Sequence, residues 1–350
     1  MESRDGISGV VDASPDDELA NLRRRADRGD VVAMRLLGSR LLTGDRIPHE
    51  PREGFSWIGR GAAGGDVAAL ELMATLTGIG AFAPQSWPDA FHFLSQAAER
   101  GGASAQAQIR LLAAGPNAAA PINVTESWSD LAGRIDVAAW IAPPPRKPLW
   151  ETPRIRMAER FASAPVCDWI KARAQGHMRP AMMYDGETKT EAVDPHRTCS
   201  DYQFDILNTD LVLLLVRARV AELTKLPTVA MEPPRVFHYA LGEQIKAHYD
   251  RCGNAEEGYG VEGGYLGDRI VTFLLYLNDG FDGGELDFPK SGVKFKGVKG
   301  DAIYFAHVDA AGKPDPLSLH AGLTITRGEK WVLSQWIHDR PFGVPEPARG

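Results

Sequence analysis

Residues 235–250 read Arg-Val-Phe-His-Tyr-Ala-Leu-Gly-Glu-Gln-Ile-Lys-Ala-His-Tyr-Asp, and the rest of the chain is organised around this stretch. Its last histidine and aspartate, His248 and Asp250, are two residues apart, so on a strand both side chains emerge on the same face. Another histidine, His320, follows much later in the chain. A His-x-Asp pair with one distant histidine is the ligand set of the facial triad, which holds non-haem Fe(II) and leaves coordination positions open.

The sequence around this stretch predicts an α+β fold whose C-terminal part is rich in strands. From residue 154 the pattern is strand, helix, loop and helix, with helices expected from residue 164 and over residues 211–223. Short apolar runs separated by Gly, Pro, Asp and Asn then occupy residues 236–240, 269–277, 284–288, 301–305, 318–321 and 331–337. Many short strands after a helical block indicate a double-sheet jelly roll, a double-stranded β-helix, with flanking helices.

The first third of the chain contains an internal repeat. Glycine-containing steps precede small and apolar residues at helical spacing, at intervals of about 36 residues, the length of a helix-turn-helix unit. These steps are Arg28-Gly29-Asp30, Gly64-Gly65-Asp66 and Gly101-Gly102-Ala103. The pattern over residues 16–114 resembles the Sel-like, tetratricopeptide-related repeat. That resemblance implies a surface for a protein partner, and packing on the second domain is the alternative.

A small-residue segment suggests where the helical part ends. Residues 113–121 read Ala-Ala-Gly-Pro-Asn-Ala-Ala-Ala-Pro, which is typical of a linker. We therefore predict a helical-repeat domain over residues 1–116, including a disordered N-terminus. The second domain is predicted over residues 117–350, with its core at about residues 154–339.

The composition is that of a soluble globular protein. The 350 residues are 44% hydrophobic and 24% charged, with a net charge of −7 and a pI near 5.8, so no basic field favours nucleic acid or an anionic membrane. The N-terminus lacks the apolar segment of a signal peptide, and no apolar run is long enough to span a bilayer. Three cysteines are an odd and sparse set, which indicates a reducing compartment. We expect a cytoplasmic protein that binds neither nucleic acid nor membranes.

Several motifs in the C-terminal part carry a family resemblance. They are Thr-Phe-Leu-Leu-Tyr-Leu-Asn-Asp at 272–279, Gly-Gly-Glu-Leu-Asp-Phe-Pro at 283–289, Lys-Gly-Asp at 299–301, His-Ala-Gly at 320–322 and Gly-Glu-Lys-Trp at 328–331. In this order they resemble the prolyl 4-hydroxylase-like, Fe(II)/2-oxoglutarate-dependent dioxygenases, over about residues 154–339.

The resemblance implies an enzyme that inserts oxygen into an unactivated C–H bond of a proline-like substrate. It implies Fe(II), 2-oxoglutarate and dioxygen as cofactor and co-substrates, decarboxylation of 2-oxoglutarate to succinate, and ascorbate as a candidate stimulant. The substrate alternatives are a free cyclic amino acid, such as proline or pipecolate, and a prolyl residue in a peptide. A different class of function is a non-catalytic interaction module that uses the helical repeats.

The resemblance also assigns residues to roles. His248, Asp250 and His320 are the expected metal ligands. Lys330 matches the family's basic position for the far (C5) carboxylate of 2-oxoglutarate, and a buried ion pair there is stronger than one in water. Arg327 is the competing cation. Because it lies an odd number of residues from Lys330, it would face the other way on a continuous strand.

Further residues are expected to line the co-substrate site. Tyr239 and Tyr276 match family positions whose hydroxyl groups contact 2-oxoglutarate, with core packing as the alternative. Thr272 is expected to face the same side as Tyr276 and is a weaker candidate. Trp336 is expected either to wall the pocket or to pack in the core.

Two residues depart from the family pattern. Ile245 replaces an aromatic residue, and Asp287 replaces a common threonine, so both are expected to reshape the pocket. The glycine-rich segment 251–268 is predicted to be a mobile loop over the metal. Cys252 within it is expected to be a surface or packing thiol. Candidate partners for a polar substrate, which the sequence does not rank, are His238, Arg269, His307, Asp309 and Arg197.

Overall fold

The structure, a computed structural model, describes residues 15–122, 126–185, 190–193, 197–250 and 268–342. The predicted disordered N-terminus, the glycine-rich segment 251–267 and Cys252 lie outside these residues. The chain divides into two compact units, Met1–Ile109 with Glu126–Gly133, and Arg110–Thr125 with Arg134–Gly350. The domain boundary at residue 116 stays a prediction. In the described ranges no helix is both long and apolar enough to cross a membrane.

The first unit consists of helices, as the repeat predicts. Glycine lets two of these helices approach closely. A Cβ atom on Gly38 would lie only 2.7 Å from the carbonyl oxygen of Gly54 on the next helix. The described helices from the start of the chain are α1 Pro15–Asp27, α2 Val31–Thr43, α3 Pro51–Ala63, α4 Val67–Ile79, α5 Trp87–Glu99, α6 Ala103–Ala114 and α7 Trp128–Gly133.

The repeated Gly-Asp step starts two of these helices in the same way. Gly29 and Gly65 have φ values of 94° and 88°, a conformation that glycine adopts without the strain of a side chain. Asp30 and Asp66 then accept a hydrogen bond from the amide three residues later, at 3.0 and 2.7 Å. These caps satisfy backbone donors at the starts of α2 and α4. The predicted helical repeat is therefore confirmed.

The second unit contains flanking helices and sixteen described strands. Its helices are α8 Val137–Ile141, α9 Ala164–Gln175 and α10 Leu211–Thr224. Its strands are β1 Lys147–Trp150, β2 Ile155–Ala158, β3 Arg179–Pro180, β4 Met182–Asp185, β5 Thr190–Val193, β6 Ser200–Gln203, β7 Arg235–Tyr239, β8 Ile245–His248, β9 Arg269–Tyr276, β10 Asp282–Gly283, β11 Leu286–Phe288, β12 Val293–Phe295, β13 Ala302–Ala306, β14 His320–Gly322, β15 Ile325–Arg327 and β16 Lys330–His338.

Two antiparallel sheets of this unit pack face to face. The larger has the order β1-β2-β13-β9-β16-β7-β6-β3, and the smaller has the order β12-β11-β14-β8. One hydrophobic cluster joins them, since it contains Phe237, Phe305 and Trp336 from the larger sheet and Leu286 and Phe288 from the smaller. The predicted α+β class, with a double-sheet domain after a helical one, is confirmed.

One local prediction was wrong. The sequence predicts a loop between α9 and α10, but this segment contains β3, β4, β5 and β6, each of four residues or fewer. The condition of a continuous strand through Arg327 and Lys330 does not hold, because these residues lie on separate strands, β15 and β16. Gly328 between them has a φ of 72°, and a side chain there would collide with the carbonyl oxygen of Gly280.

Candidate metal centre

The register of the smaller sheet brings the two predicted histidine ligands together. β8 ends at His248, β14 begins at His320, and the two residues are direct antiparallel partners. Their ring centroids are 4.4 Å apart. Asp250 follows two residues after His248 and is buried. One strand pair therefore gathers three residues that are separated in the sequence.

The distances among these side chains suit a single metal ion. Nε2 of His248 lies 3.3 Å from Oδ1 of Asp250, and Nε2 of His320 lies 3.5 Å from Oδ2. One ligand atom from each residue falls within 4.8 Å of the others. Bonds of about 2 Å to a metal put its neighbouring ligand atoms about 3 Å apart, so little adjustment is needed.

Hydrogen bonds to backbone carbonyl groups set the tautomer of both histidines. Nδ1 of His248 is 2.8 Å from the oxygen of Lys246, and Nδ1 of His320 is 3.0 Å from the oxygen of Ser318. A carbonyl oxygen only accepts, so each Nδ1 carries the hydrogen and each Nε2 keeps a lone pair. Both lone pairs face Asp250, as metal ligation requires.

The charge states of the cluster also fit a cation. Burial makes a positive charge on His320 costly and lowers its pKa to about 3, so the ring is neutral near pH 7. Burial by itself would raise the pKa of the Asp250 carboxyl, but attraction to His320 and His248 when these rings carry a proton outweighs burial and holds that pKa well below its usual range, so the carboxyl is ionised. Two neutral nitrogen donors and one carboxylate thus converge, which is a ligand set for Fe(II).

Lys330 is a buried cation near the two predicted tyrosines. Its side chain is almost inaccessible, with 5% exposure, and its Nζ donates to the carbonyl oxygen of Gly284 at 2.7 Å. Nζ lies 5.6 Å from the ring centroid of Tyr239 and 5.3 Å from that of Tyr276. Among the described residues no carboxylate lies within 4.0 Å of it. Burial lowers the pKa of Lys330 to about 8, and Glu285 only partly offsets this.

The two tyrosines present protonated phenols. Burial raises the pKa of Tyr239 and of Tyr276 above 10, so both hydroxyl groups keep their hydrogens. The Tyr276 hydroxyl is buried and makes no hydrogen bond within the part of the chain that the structure describes. An ammonium group and an unsatisfied hydroxyl, side by side in an apolar core, fit the carboxylate of a bound acid.

Three other predicted residues lie elsewhere or make other contacts. The hydroxyl of Thr272 contacts Asp250 rather than the Lys330 group, at 2.6 Å from Oδ2. The Arg327 side chain is 68% exposed and pairs with Asp282, so of these two candidates it is Lys330 that is buried near the tyrosines. Trp336 is buried in the core edge-to-face with Phe237.

Two neighbours of Asp250 were not assigned from the sequence. His307 is fully buried, and its Nε2 lies 2.7 Å from the Thr272 hydroxyl and 3.8 Å from Oδ2 of Asp250. Arg269 donates to the Asp250 carbonyl oxygen at 3.4 Å and forms an ion pair with Glu232. The sequence presented both residues only as candidate substrate partners, because strand pairing and not local spacing brings them to Asp250.

Comparison with known proteins now adds the family. The model of the 2OG-Fe(II) oxygenase superfamily matches residues 234–338, a range that contains every predicted metal ligand and co-substrate residue. A probable prolyl 4-hydroxylase 6 from Arabidopsis thaliana is 31% identical over 210 residues, which are 55% of this chain and 71% of that protein. The chain belongs to the 2OG-Fe(II) oxygenase superfamily. The predicted 2-oxoglutarate-dependent hydroxylase, with Fe(II) and 2-oxoglutarate as cofactor and co-substrate, is thereby confirmed.

Solved structures similar to the oxygenase match its two parts separately. A viral collagen prolyl hydroxylase from Paramecium Bursaria Chlorella virus-1, solved with 2-oxoglutarate, is 24% identical and covers 52% of this chain and 94% of its own, with a TM-score of 0.40. A Sel1 repeat protein from Oxalobacter formigenes is 27% identical and covers 28% of this chain and 73% of its own, with a TM-score of 0.27. The fold assignment rests on the strand order and the helical repeat described above.

Proposed function

We propose that this oxygenase hydroxylates a proline-like ring, and that its substrate is a prolyl residue within a peptide. The overall reaction converts a substrate C–H bond, 2-oxoglutarate and dioxygen into C–OH, succinate and carbon dioxide, which balances atoms and electrons. The similarity to relatives named prolyl 4-hydroxylases supports a proline-like ring as the group that is hydroxylated. The observation that supports 2-oxoglutarate as the co-substrate is the buried Lys330 ammonium, which has no carboxylate partner among the described residues.

The metal ligands in this proposal are His248, Asp250 and His320. Bound Fe(II), with 2-oxoglutarate, supplies the activation of dioxygen that an unactivated C–H bond requires. The protein holds the two Nε2 atoms free of protons through the carbonyl oxygens of Lys246 and Ser318. Neither histidine therefore has to change tautomer when the metal binds, which favours binding.

The co-substrate carboxylate is proposed to bind between Lys330, Tyr239 and Tyr276. The ammonium group supplies charge and up to two further hydrogen bonds beyond the one to Gly284. The phenols supply neutral donors that burial keeps protonated. In the water-poor core a charge-assisted bond is stronger than at the surface, so these three residues orient the acid as well as bind it.

Aromatic side chains exclude water from the ligand side of the site. The Phe305 ring lies 4.7 Å from the His320 ring, and the Phe288 ring lies 5.9 Å from it. Both phenylalanines are fully buried. A dry site protects a reactive centre from side reactions with solvent.

Arg197 is the proposed contact for the substrate backbone. Its guanidinium lies 4.9 Å from the centroid of the Phe237 ring, and it has no carboxylate partner within the described ranges. The other four polar residues considered from the sequence have partners of their own: His238 pairs with Glu329, Arg269 with Glu232, His307 with Thr272, and Asp309 caps a turn. A guanidinium can bind a peptide carbonyl or a free carboxylate.

Anaerobic titration with Fe(II) and 2-oxoglutarate tests the site. We expect a weak visible metal-to-ligand band in the wild type and in Asp282→Asn, a control that changes an exposed carboxylate. We expect no band, and no turnover, in His248→Ala and Asp250→Ala, whose circular dichroism should remain that of the wild type. Absence of the band from the wild type would overturn the proposed metal site.

Succinate release tests the substrate. We expect stimulation by proline-containing peptides and little by free proline or pipecolate, with a raised KM in Arg197→Gln. Stimulation by the free amino acids alone would reject the peptide proposal and favour the alternative substrate class. Binding of a protein partner by the helical repeats stays a proposal, and pull-down with the full chain and with a variant altered in α2 and α3 would test it.

A further inference from the structure

A chain of two hydrogen bonds runs from His307 to the Asp250 carboxylate. His307 follows the last residue of β13, and its Nε2 lies 2.7 Å from Oγ1 of Thr272 on β9. The same Oγ1 lies 2.6 Å from Oδ2 of Asp250. Antiparallel pairing of β13 with β9 places Phe305 opposite Thr272, which brings His307 beside the threonine. His307, Thr272 and Asp250 are all buried.

The direction of these bonds follows from counting hydrogens. The Thr272 hydroxyl has one hydrogen, and an ionised carboxylate can only accept. The short contact with Oδ2 therefore uses the threonine hydrogen. The remaining contact requires Nε2 of His307 to carry a hydrogen and donate it to Oγ1. The bonds run from His307 to Thr272 and from Thr272 to Asp250.

We propose that His307 is a positioning residue for the metal ligand Asp250, acting through Thr272. Both carboxylate oxygens lie near a ligand nitrogen, Oδ1 at 3.3 Å from Nε2 of His248 and Oδ2 at 3.5 Å from Nε2 of His320. The hydrogen bond from Thr272 to Oδ2 therefore fixes the orientation of the whole carboxylate toward the two histidines. This inference rests on the metal site of the proposed function. A hydroxyl that accepts one hydrogen bond while donating another is polarised, which strengthens its bond to the carboxylate.

The second nitrogen of His307 argues against a merely structural role. With the hydrogen on Nε2, the lone pair of Nδ1 is buried without a hydrogen-bond partner among the described residues. An unsatisfied buried acceptor lowers the free energy of unfolding, and an apolar residue of similar volume would avoid that loss. Packing alone would thus be better served by leucine, whereas holding Asp250 requires a donor at the position of Nε2.

Metal affinity of a set of variants tests the proposal without relying on turnover. Under anaerobic conditions, Fe(II), and Co(II) as its spectroscopic substitute, are titrated into wild type, His307→Leu, His307→Gln, Thr272→Val and the Leu/Val double variant. We expect His307→Leu and Thr272→Val each to bind metal about ten- to a hundredfold more weakly. His307→Gln retains a donor and should bind metal within about threefold of the wild type.

A comparison of the single variants with the double variant distinguishes a positioning role of His307 from a general disturbance of the fold. Because His307 acts through Thr272, the double variant should bind metal no more weakly than Thr272→Val alone. The Co(II) absorption bands should change in His307→Leu and return in His307→Gln, while the melting temperature of metal-free His307→Leu should not fall. Thr75→Val, a buried threonine of the first unit, is the control and should bind metal like the wild type.

The outcomes separate this inference from the proposed function. If the wild type fails to bind Fe(II) or Co(II), the metal site is wrong and the inference falls with it. If the wild type binds metal and His307→Leu binds it equally well, the metal site stands and the positioning role is rejected. Additive losses in the double variant would also reject it, because they would mean that His307 acts independently of Thr272.

Discussion

Substitution of Lys330 by methionine should separate co-substrate binding from folding. Methionine keeps an unbranched side chain of similar length but removes the ammonium group that the proposed function assigns to the 2-oxoglutarate carboxylate. A hydrogen bond to a charged group contributes about 1.5–3 kcal/mol, and 1.4 kcal/mol corresponds to a factor of ten. We therefore expect the Kd for 2-oxoglutarate to rise about ten- to 150-fold.

The same substitution should not destabilise the metal-free protein. The pKa of Lys330 falls from 10.5 to about 8 because burial disfavours the ammonium form. A difference of about 2.5 pH units at 1.36 kcal/mol each corresponds to about 3 kcal/mol of lost stability. The bond to Gly284 is lost in the variant, which offsets part of the gain. Lys330→Met should thus unfold at the same or a higher denaturant concentration at pH 7.

The stability penalty of the buried Lys330 ammonium should decrease as the pH rises. Because the folded pKa lies below the unfolded value, the penalty is fully present below about pH 8 and shrinks as pH rises toward 10.5. The stability advantage of Lys330→Met over the wild type should shrink over the same range.

Urea unfolding at several pH values and anaerobic 2-oxoglutarate titration measure the two quantities. Lys147→Met, which removes an exposed lysine, is the matched control and should change neither. Unchanged 2-oxoglutarate affinity in Lys330→Met, or a loss of more than about 1 kcal/mol of stability at pH 7, would refute this reasoning.

Three further predictions concern the pH dependence of co-substrate binding, the Tyr276 hydroxyl and the packing of the helical unit. In the wild type, the Kd for 2-oxoglutarate measured by titration should rise above about pH 8, where Lys330 loses its charge, and a flat profile to pH 10 would contradict the ion pair. Tyr276→Phe removes a buried hydroxyl without a partner among the described residues, so it should leave the melting temperature unchanged or higher while weakening 2-oxoglutarate binding severalfold. Gly38→Ala should destabilise the helical unit by about 1–3 kcal/mol, because the new Cβ would lie 2.7 Å from the Gly54 carbonyl oxygen. Thermal unfolding measures this loss, and an unchanged melting curve would show that α2 and α3 can move apart without a loss of stability.

The parts of the site that depend on short-range spacing could be predicted from the sequence. A two-residue step puts His248 and Asp250 on one face whatever the partner strand is. Lys330 was preferred to Arg327 from the same periodicity. The structure also separates these two side chains, although the assumed continuous strand is interrupted at Gly328. The expectation about the side chains was therefore met for a partly different reason.

The parts that depend on strand register could not be predicted in the same way. Thr272 was expected to face Tyr276 and the co-substrate, and its hydroxyl contacts Asp250 and His307 instead. That contact requires β13 to pair with β9 in one register, and a shift by one residue would turn His307 to the other face. Strands β3, β4, β5 and β6 were missed because two to four residues are too few to show a period of two.

Three polar groups of the proposed site lie at positions where folding and the proposed chemistry make opposite demands. Lys330 is a buried cation without a carboxylate partner in the described ranges, and Nδ1 of His307 and the hydroxyl of Tyr276 are buried without hydrogen bonds there. Each lowers the stability of the ligand-free fold. Apolar replacements at Lys330 and Tyr276 should therefore weaken co-substrate binding while retaining stability, and those at His307 should weaken metal binding. If all three replacements instead destabilised the fold, these groups would be structural, and the proposed division of the site into a metal side and a co-substrate side would lose its support.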